Sequence, residues 1–509
     1  MVRGRLLLLC LGLGFGLTLF SQKIVYSEPD KDDTQRMDFE IVGKINGKFL
    51  IYKKPRSNKH IISVLDNDML ETGKSELDFL PDNDRIINIE FFPYSDFAYM
   101  IYQYQKKNVV FCSAVRVDGN GARMGEVMLL DTTHIGFAAS NKIYTVQSSE
   151  DKSKLIVFKI NSRNKRLYLM TTFLYNDKLE LLKKSRLTIP MEDRHESLNE
   201  FFLDNDGDLV FSRLYRNSGE NISRASFIIK YAQADTLHVN PLNIERTWLD
   251  EVHVKVDNFN KRYFLTSFYY PQRKGNIEGF YFYIWDKALG KPAVQDTVTL
   301  GEELRREAKT TGSNNKMAFN DYFIRNVIIR RDGGFIIGSE SFYTSSRFNN
   351  WNRWDYLYRY PFLNPVNSYY YSPYYSSYLW TTRWASGQSV RYHADNIAVL
   401  AFDRNGNLEW NTVMGKEQYD DNSDNLLSYQ VMNTGGELHF LFNQQEKRNN
   451  LLNDYSISPQ GELTRNPTLK NLDKGHEFMP KYAKQVSARQ MIVPCIYRNY
   501  ICFAKIEYN

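Results

Sequence analysis

The chain predicts an all-β repeat fold, a β-propeller of eight blades, with seven as the alternative count. Three observations lead there. Short runs rich in Val, Ile, Tyr and Phe recur along nearly all of the 509 residues, and such residues favour strands. The runs are joined by turns of similar chemistry, DNDGD, RDGG, DRNGN, NTGG and SPQG. Each places Gly, often beside Asp or Asn, where the backbone needs positive φ. Finally, the runs group into units of about four that return every 50 to 60 residues, the spacing of propeller blades. A pair of stacked β-sandwiches is the rival arrangement. With 42% hydrophobic and 15% aromatic residues, the chain can build a sizeable core and does not have the composition of a disordered one.

Taken in order, the chain opens on MVRGRLLLLCLGLGFGLTLFSQK. Arg3 and Arg5 precede an apolar run from Leu6 to Phe20, and the small Ser21 precedes Gln22. That is the layout of a secretory signal peptide over residues 1–21. The run is shorter than the ~20 residues a membrane span needs and lacks a basic stop-transfer flank. Cys10 follows Leu9 inside the apolar run, which argues against lipid attachment there. Residues 22–509 are read as a single propeller domain.

Its first strand is the isolated run Lys23–Tyr26. The first unit follows, with a hairpin at Asn46–Gly47, a third strand in HIISVLDND and a weak fourth near Ser75–Leu80. Six further units repeat the outline. The fifth is followed by GEELRREAKTTG, residues 301–312, the one stretch that reads as a short helix. The sixth is enlarged by an aromatic-rich insertion at about 343–394. The eighth, from Lys481 to Asn509, supplies only about three strands. A propeller ring must close or leave a sheet edge exposed, so Lys23–Tyr26 is expected to complete the last blade.

Charge excludes one class of partner. There are 65 basic and 59 acidic residues, and loss of Arg3 and Arg5 with the leader takes the net charge from +6 to +4. No cluster of Lys and Arg gives the footprint of a nucleic-acid binder. No segment after the leader is long and apolar enough to span a membrane, and charged outward positions with uneven strand lengths argue against a transmembrane barrel.

Catalytic and metal motifs are missing. The eight histidines are scattered without His-x-His or His-x-x-x-His spacing, and Cys112, Cys495 and Cys502 form no C-x-x-C, so no zinc site is expected. Asp204, Asp206 and Asp208 alternate like the start of a calcium loop, but the twelfth position is Tyr215 and not a bidentate carboxylate; a hairpin turn is the expectation. Gly73–Lys74–Ser75 lacks the preceding glycine of a phosphate loop, Asp68 standing in its place. There is no Gly-x-Ser-x-Gly elbow. Glu278 lies among aromatics but is expected to be a turn glutamate, and Asn221–Ile222–Ser223 matches a glycosylation acceptor by a pattern common by chance. Cofactors are expected to be none. Cys495 and Cys502 face each other across a two-residue loop at Arg498–Asn499, as a bridge or as two buried thiols.

The insertion is the feature that folding does not demand. From Trp351 to Trp380, thirteen of thirty residues are Trp, Tyr or Phe, interleaved with Arg353 and Arg359 and followed by Arg383. Trp, Tyr and Arg dominate protein–protein hot spots, and aromatic faces stack on sugar rings. Candidate contact residues are Trp351, Trp354, Tyr358, Arg359, Tyr370, Tyr374, Tyr378 and Trp380. The competing reading is a loop that folds back and buries its rings on its own propeller.

The FSQ cleavage site, the FDRNGNLEW and GGELHFLFN hairpins and the Tyr-rich insertion resemble large exported β-propeller-like proteins of Bacteroidetes-type bacteria. The resemblance spans most of the chain but rests on turn chemistry and transfers no functional residues. It implies an envelope location, periplasmic or at the cell surface, with outer-membrane association through a partner. The function expected is therefore a non-enzymatic scaffold that docks onto an envelope protein complex through loops including the insertion. The alternative is a secreted propeller that binds or cleaves glycans.

Overall fold

The computed structural model describes residues 22–345, 353, 370–371 and 390–508, apart from 58, 83, 137, 140–141, 165, 192, 194, 218–220, 311–317, 422, 447–448 and 468–474. The expected leader, residues 1–21, lies outside them.

Eight antiparallel sheets stand in a ring, one per predicted unit, so the fold is an eight-bladed β-propeller. Each of the first seven blades runs outward through four strands in sequence order. The first blade comprises Asp38–Ile45, Lys48–Lys54, Ile61–Leu65 and Glu71–Glu76. Innermost strands of the next six blades are Arg85–Pro93, Tyr144–Ser148, Glu196–Leu203, Trp248–Asp257, Tyr322–Ile329 and Tyr429–Asn433. The burial pattern follows from this stacking. Second and third strands are covered on both faces by neighbouring blades, so Arg262–Tyr270 and Gly279–Asp286 are almost wholly buried. Fourth strands lie on the rim, and Glu71–Glu76 and Lys291–Thr299 are exposed or half-buried throughout. Strand pattern and burial thus share one cause, the packing of adjacent sheets face to face.

The ring closes as expected. Lys23–Tyr26 pairs antiparallel with Tyr500–Glu507, with Lys23 opposite Glu507 and Tyr26 opposite Ala504. It forms the outer strand of the eighth blade. The innermost strand of that blade is in two pieces, Glu477–Phe478 and Lys484–Ser487, both paired with Gln490–Tyr497 and separated by a 3-10 turn at Pro480–Tyr482. That break hides it from a reading based on continuous runs.

The two Asp-led turns, DNDGD and DRNGN, have one mechanism. The leading Asp caps the amides two and four residues on: Asp204 Oδ1 accepts from Asp206 and Asp208 N–H at 2.9 and 2.8 Å. Asp403 Oδ1 does the same for Asn405 and Asn407, both at 2.8 Å. Such Asx bonding holds the tight turn. Glycine is required at Gly406, whose φ is +87° and whose Cβ would lie 2.1 Å from the Phe282 ring of the neighbouring blade. That ring belongs to the aromatic layer between the fifth and sixth blades, where Phe335 and Phe402 stack at 4.9 Å.

Two expected boundaries shift. The weak fourth strand of the first blade lies at Glu71–Glu76. The insertion is narrower than 343–394, because its flanking strands run on to Ser345 and resume at Arg391. Tyr343 pairs with His393 and Ser345 with Arg391. The apolar pattern has ended there, but backbone pairing continues, and the Tyr343 and His393 rings stack at 4.5 Å. The short helix is Glu302–Ala308.

Candidate functional site

Chain direction sorts the loops between the two faces of the ring. Turns joining first to second and third to fourth strands lie on one face, which carries the DNDGD, RDGG, DRNGN, NTGG and SPQG turns. Connections from second to third strands, and from blade to blade, lie on the other. The insertion joins the second and third strands of the sixth blade, and the helix Glu302–Ala308 joins the fifth blade to the sixth. Both therefore belong to the second face, here termed the insertion face.

Charged residues gather near that face. Innermost strands contribute Glu40, Glu90, Glu200, Glu251, His253, Arg325 and Lys484. Several of these strands are bulged, with register shifts at Ile41/Gly43, Asn199/Phe202, Leu249/Val252 and Ile324/Asn326. A bulge re-aims side chains and frees backbone groups. The carboxylates then stitch blade to blade: Glu200 Oε2 accepts from Val254 N–H at 3.1 Å, and Glu251 Oε1 from Ile324 N–H at 3.0 Å. Lys484 of the eighth blade donates to Ile41 and Val42 carbonyls of the first at 3.0 and 3.1 Å. His253 lies between Glu251 at 3.5 Å and Glu200 at 3.9 Å. Burial opposes its protonation, but Glu251 and then Glu200 overcome this and hold the imidazole above its ordinary value.

A second cluster sits in the sixth blade. Glu340 is wholly buried and meets Lys416, also wholly buried, at 2.9 Å and Arg325 at 3.2 Å. Ser428 of the seventh blade donates to the same carboxylate. Burial would raise the Glu340 carboxyl, but Lys416 and Arg325 hold it below the usual range. Beside it, the hydroxyl of Tyr343 donates to Asp395 Oδ2 at 3.0 Å. A cavity of about 300 Å³ opens here, lined by Lys309, Asp395, Asn396, Lys416, Glu417 and Gln444 among others.

The insertion returns to the ring at two described points. Arg353 is buried and forks onto Asp250 of the fifth blade, which is fully buried, with Nη2 2.5 Å and Nε 3.1 Å from its oxygens. Its guanidinium lies 3.9 Å from the Phe323 ring centroid and donates to the Asn320 carbonyl at 3.2 Å. Further on, Tyr370–Tyr371 pairs with Asn161 and Ile160 in the second strand of the third blade. The innermost strand of that blade pairs only as far as Lys159, so the insertion adds to the edge left open beyond it. It therefore reaches from the sixth blade to the third.

Of the predicted contact residues, Trp351, Trp354, Tyr358, Arg359, Tyr374, Tyr378 and Trp380 lie outside the described residues, as does Arg383. Tyr370 is placed by its backbone pairing alone. The reading by motif missed Asp250, Glu340, Asp395 and Lys416. Their signal was a charge breaking a strand pattern, as in WLDEVHVKVD and GSESFY.

Other sequence features resolve simply. Lys287 places its ammonium 2.5, 2.7 and 2.8 Å from Asp204, Asp206 and Asp208, where a cation would sit in a calcium loop. Asn221 is buried, 1% exposed, which is unsuited to a glycosylation acceptor. The Glu278 side chain is 40% exposed, as expected of a turn glutamate. Cys495 and Cys502 are buried free thiols in direct cross-strand register with Sγ atoms 2.8 Å apart. Among the described residues no three His, Cys, Asp or Glu side chains group as metal ligands, and no helix is long and apolar enough to cross a membrane.

One buried group of an innermost strand gives a pH signature. Burial pushes Glu40 up to about 7 from an ordinary 4.5, opposed by Lys484 and reinforced by Glu90. The folded state keeps a proton that the unfolded chain releases between those values. Stability contributed by the protonated carboxyl is therefore full below pH 4.5 and lost as pH rises through 7. Glu40→Gln is expected to flatten this slope and to raise stability at pH 8 by roughly 2 kcal/mol, as read by urea denaturation at pH 5 and 8. An unchanged slope would assign the effect elsewhere.

No protein-family model matches the chain, and no curated protein sequence does. Solved structures that align with the chain include the WD40 domain of SCAP from fission yeast, 9% identical, covering 96% of this chain and 98% of that one with a TM-score of 0.40. The β-propeller domain of the Trilobed protease from Pyrococcus furiosus is 11% identical over 87% and 95%, with a TM-score of 0.33. A Synechocystis apocarotenoid oxygenase mutant is 10% identical over 96% and 94%, also at 0.33.

Proposed function

We propose that the protein is an exported, non-enzymatic scaffold of the cell envelope that docks onto a protein complex through its insertion face. The supporting observation is the clamp between Arg353 and Asp250. It fastens an aromatic, arginine-bearing segment to a rigid ring, and a preorganised segment loses less entropy on binding a partner. The charges behind it support the same reading: Arg325 and Lys416 neutralise the buried Glu340 within the sixth blade, and Ser428 of the seventh donates to that carboxylate. The signal-peptide layout of residues 1–21 supports export, and attachment to the outer membrane then runs through the partner.

The test is recovery of partners from native membranes with the tagged full chain and with residues 346–389 deleted. The full chain is expected to bring down a defined set of envelope proteins, and the deletion to lose it. The ring itself is expected to survive, because Ser345 and Arg391 are already paired and a short turn can join them. Far-ultraviolet circular dichroism and a melting temperature within a few degrees of the parent check that point. Recovery of the protein alone in both forms would defeat the docking reading. The glycan alternative separates cleanly: it requires binding on a glycan array that is lost when Trp351, Trp354 and Trp380 become Ala.

A further inference from the structure

The cavity at the foot of the insertion contains an unmet hydrogen-bond acceptor. Asp395 is 2% exposed, and its Oδ2 accepts from Tyr343. Its Oδ1 is buried and has no hydrogen-bond partner. A buried acceptor left unpaired is costly, and native structures rarely keep one without a reason. The nearest cation does not meet this need. Lys416 donates to the Ala394 carbonyl at 2.6 Å and to Gln418 at 2.9 Å, and its charge is paired with Glu340 at 2.9 Å.

The remaining walls restrict what can enter. Lys309 and Lys416 oppose a cation, whereas Asp395 and Glu417 oppose an anion. Asn396 and Gln444 add amide groups, which both donate and accept. An uncharged hydroxyl suits such a mixture, since it donates to Asp395 while accepting from an ammonium or amide. At about 300 Å³, the cavity is at the small end of ligand sites, which favours one ring over a chain of them. We propose that this cavity binds a single neutral sugar ring, or a polyol of that size, with Asp395 Oδ1 accepting from one of its hydroxyls.

The site stands apart from the docking role, because its described lining residues, Lys309, Asp395, Asn396, Lys416, Glu417 and Gln444 among them, persist in the chain without 346–389. The experiment titrates the full chain with glucose, galactose, mannose and N-acetylglucosamine by calorimetry, with ethanolamine and acetate as charged controls. At least one sugar is expected to bind with a millimolar or tighter Kd and to outcompete both controls. Asp395→Ala is expected to weaken it tenfold or more. Lys309→Met, on the exposed rim, is expected to weaken it about threefold with an unchanged melting temperature, and it decides the matter if the Asp395 variant fails to fold. Three results overturn the proposal: no sugar bound at tens of millimolar, a charged control bound more tightly than every sugar, or affinity unchanged in the folded variants.

Discussion

Replacing Lys287 with Met is expected to lower the stability of the ring by about 3 kcal/mol and to make it respond to calcium. Three carboxylates converge on this one ammonium, at 2.5, 2.7 and 2.8 Å. Asp204 and Asp208 are buried, and Tyr263 also donates to Asp204 at 2.7 Å. Lys261 reaches only the exposed partner, Asp206, at 3.0 Å. Methionine keeps the apolar stem but removes the charge, so Asp204 and Asp208 would repel each other in a site with little water. Breaking such a pair costs more than the pair contributes, because the surviving charge stays buried. A hard divalent cation is the natural replacement for the ammonium, since oxygens from alternating Asp residues are the ligands it prefers. Urea denaturation with and without millimolar calcium is the measurement. The parent should be indifferent to calcium, and the variant should recover part of its loss. A variant as stable as the parent would show that the aspartates are satisfied without the lysine.

The same lysine shows where the sequence could and could not be read. The fold was legible because its signals are local: Asp–Gly turns cap their own amides, and alternating apolar runs mark strands sealed between blades. Even closure by Lys23–Tyr26 followed from counting, since one blade lacked a strand and one strand lacked a blade. The ion pairs were not legible, because their partners are distant in sequence. Lys287 is 79 residues beyond Asp208, and Arg353 is 103 beyond Asp250. What joins them is the neighbouring of blades, a property of the ring. The insertion shows both sides. Its composition announced a special segment, while its attachments, a buried arginine and a two-residue strand, carry no local pattern.

Replacing Arg353 with Leu is expected to cost about 3 kcal/mol and to abolish partner recovery while leaving the ring folded. Asp250 has no exposed surface and meets the guanidinium through both carboxylate oxygens. Its other side-chain bond is from the Tyr270 hydroxyl at 2.8 Å, which orients the carboxylate but does not neutralise it. Leucine therefore leaves a buried charge unpaired and also removes the contact over Phe323. The loss has a separable part. Adding Asp250→Asn removes the uncompensated charge and keeps an acceptor for Tyr270, so the double variant should regain about 2 kcal/mol relative to Arg353→Leu alone, a coupling usual for directly paired side chains. The regained stability should not restore the partner, because the insertion would still lack its clamp. Stability and recruitment thus part company in the double variant. If recruitment returned with stability, the arginine would serve the fold alone, and docking would have to rest on the other anchor, where Tyr370–Tyr371 joins the third blade.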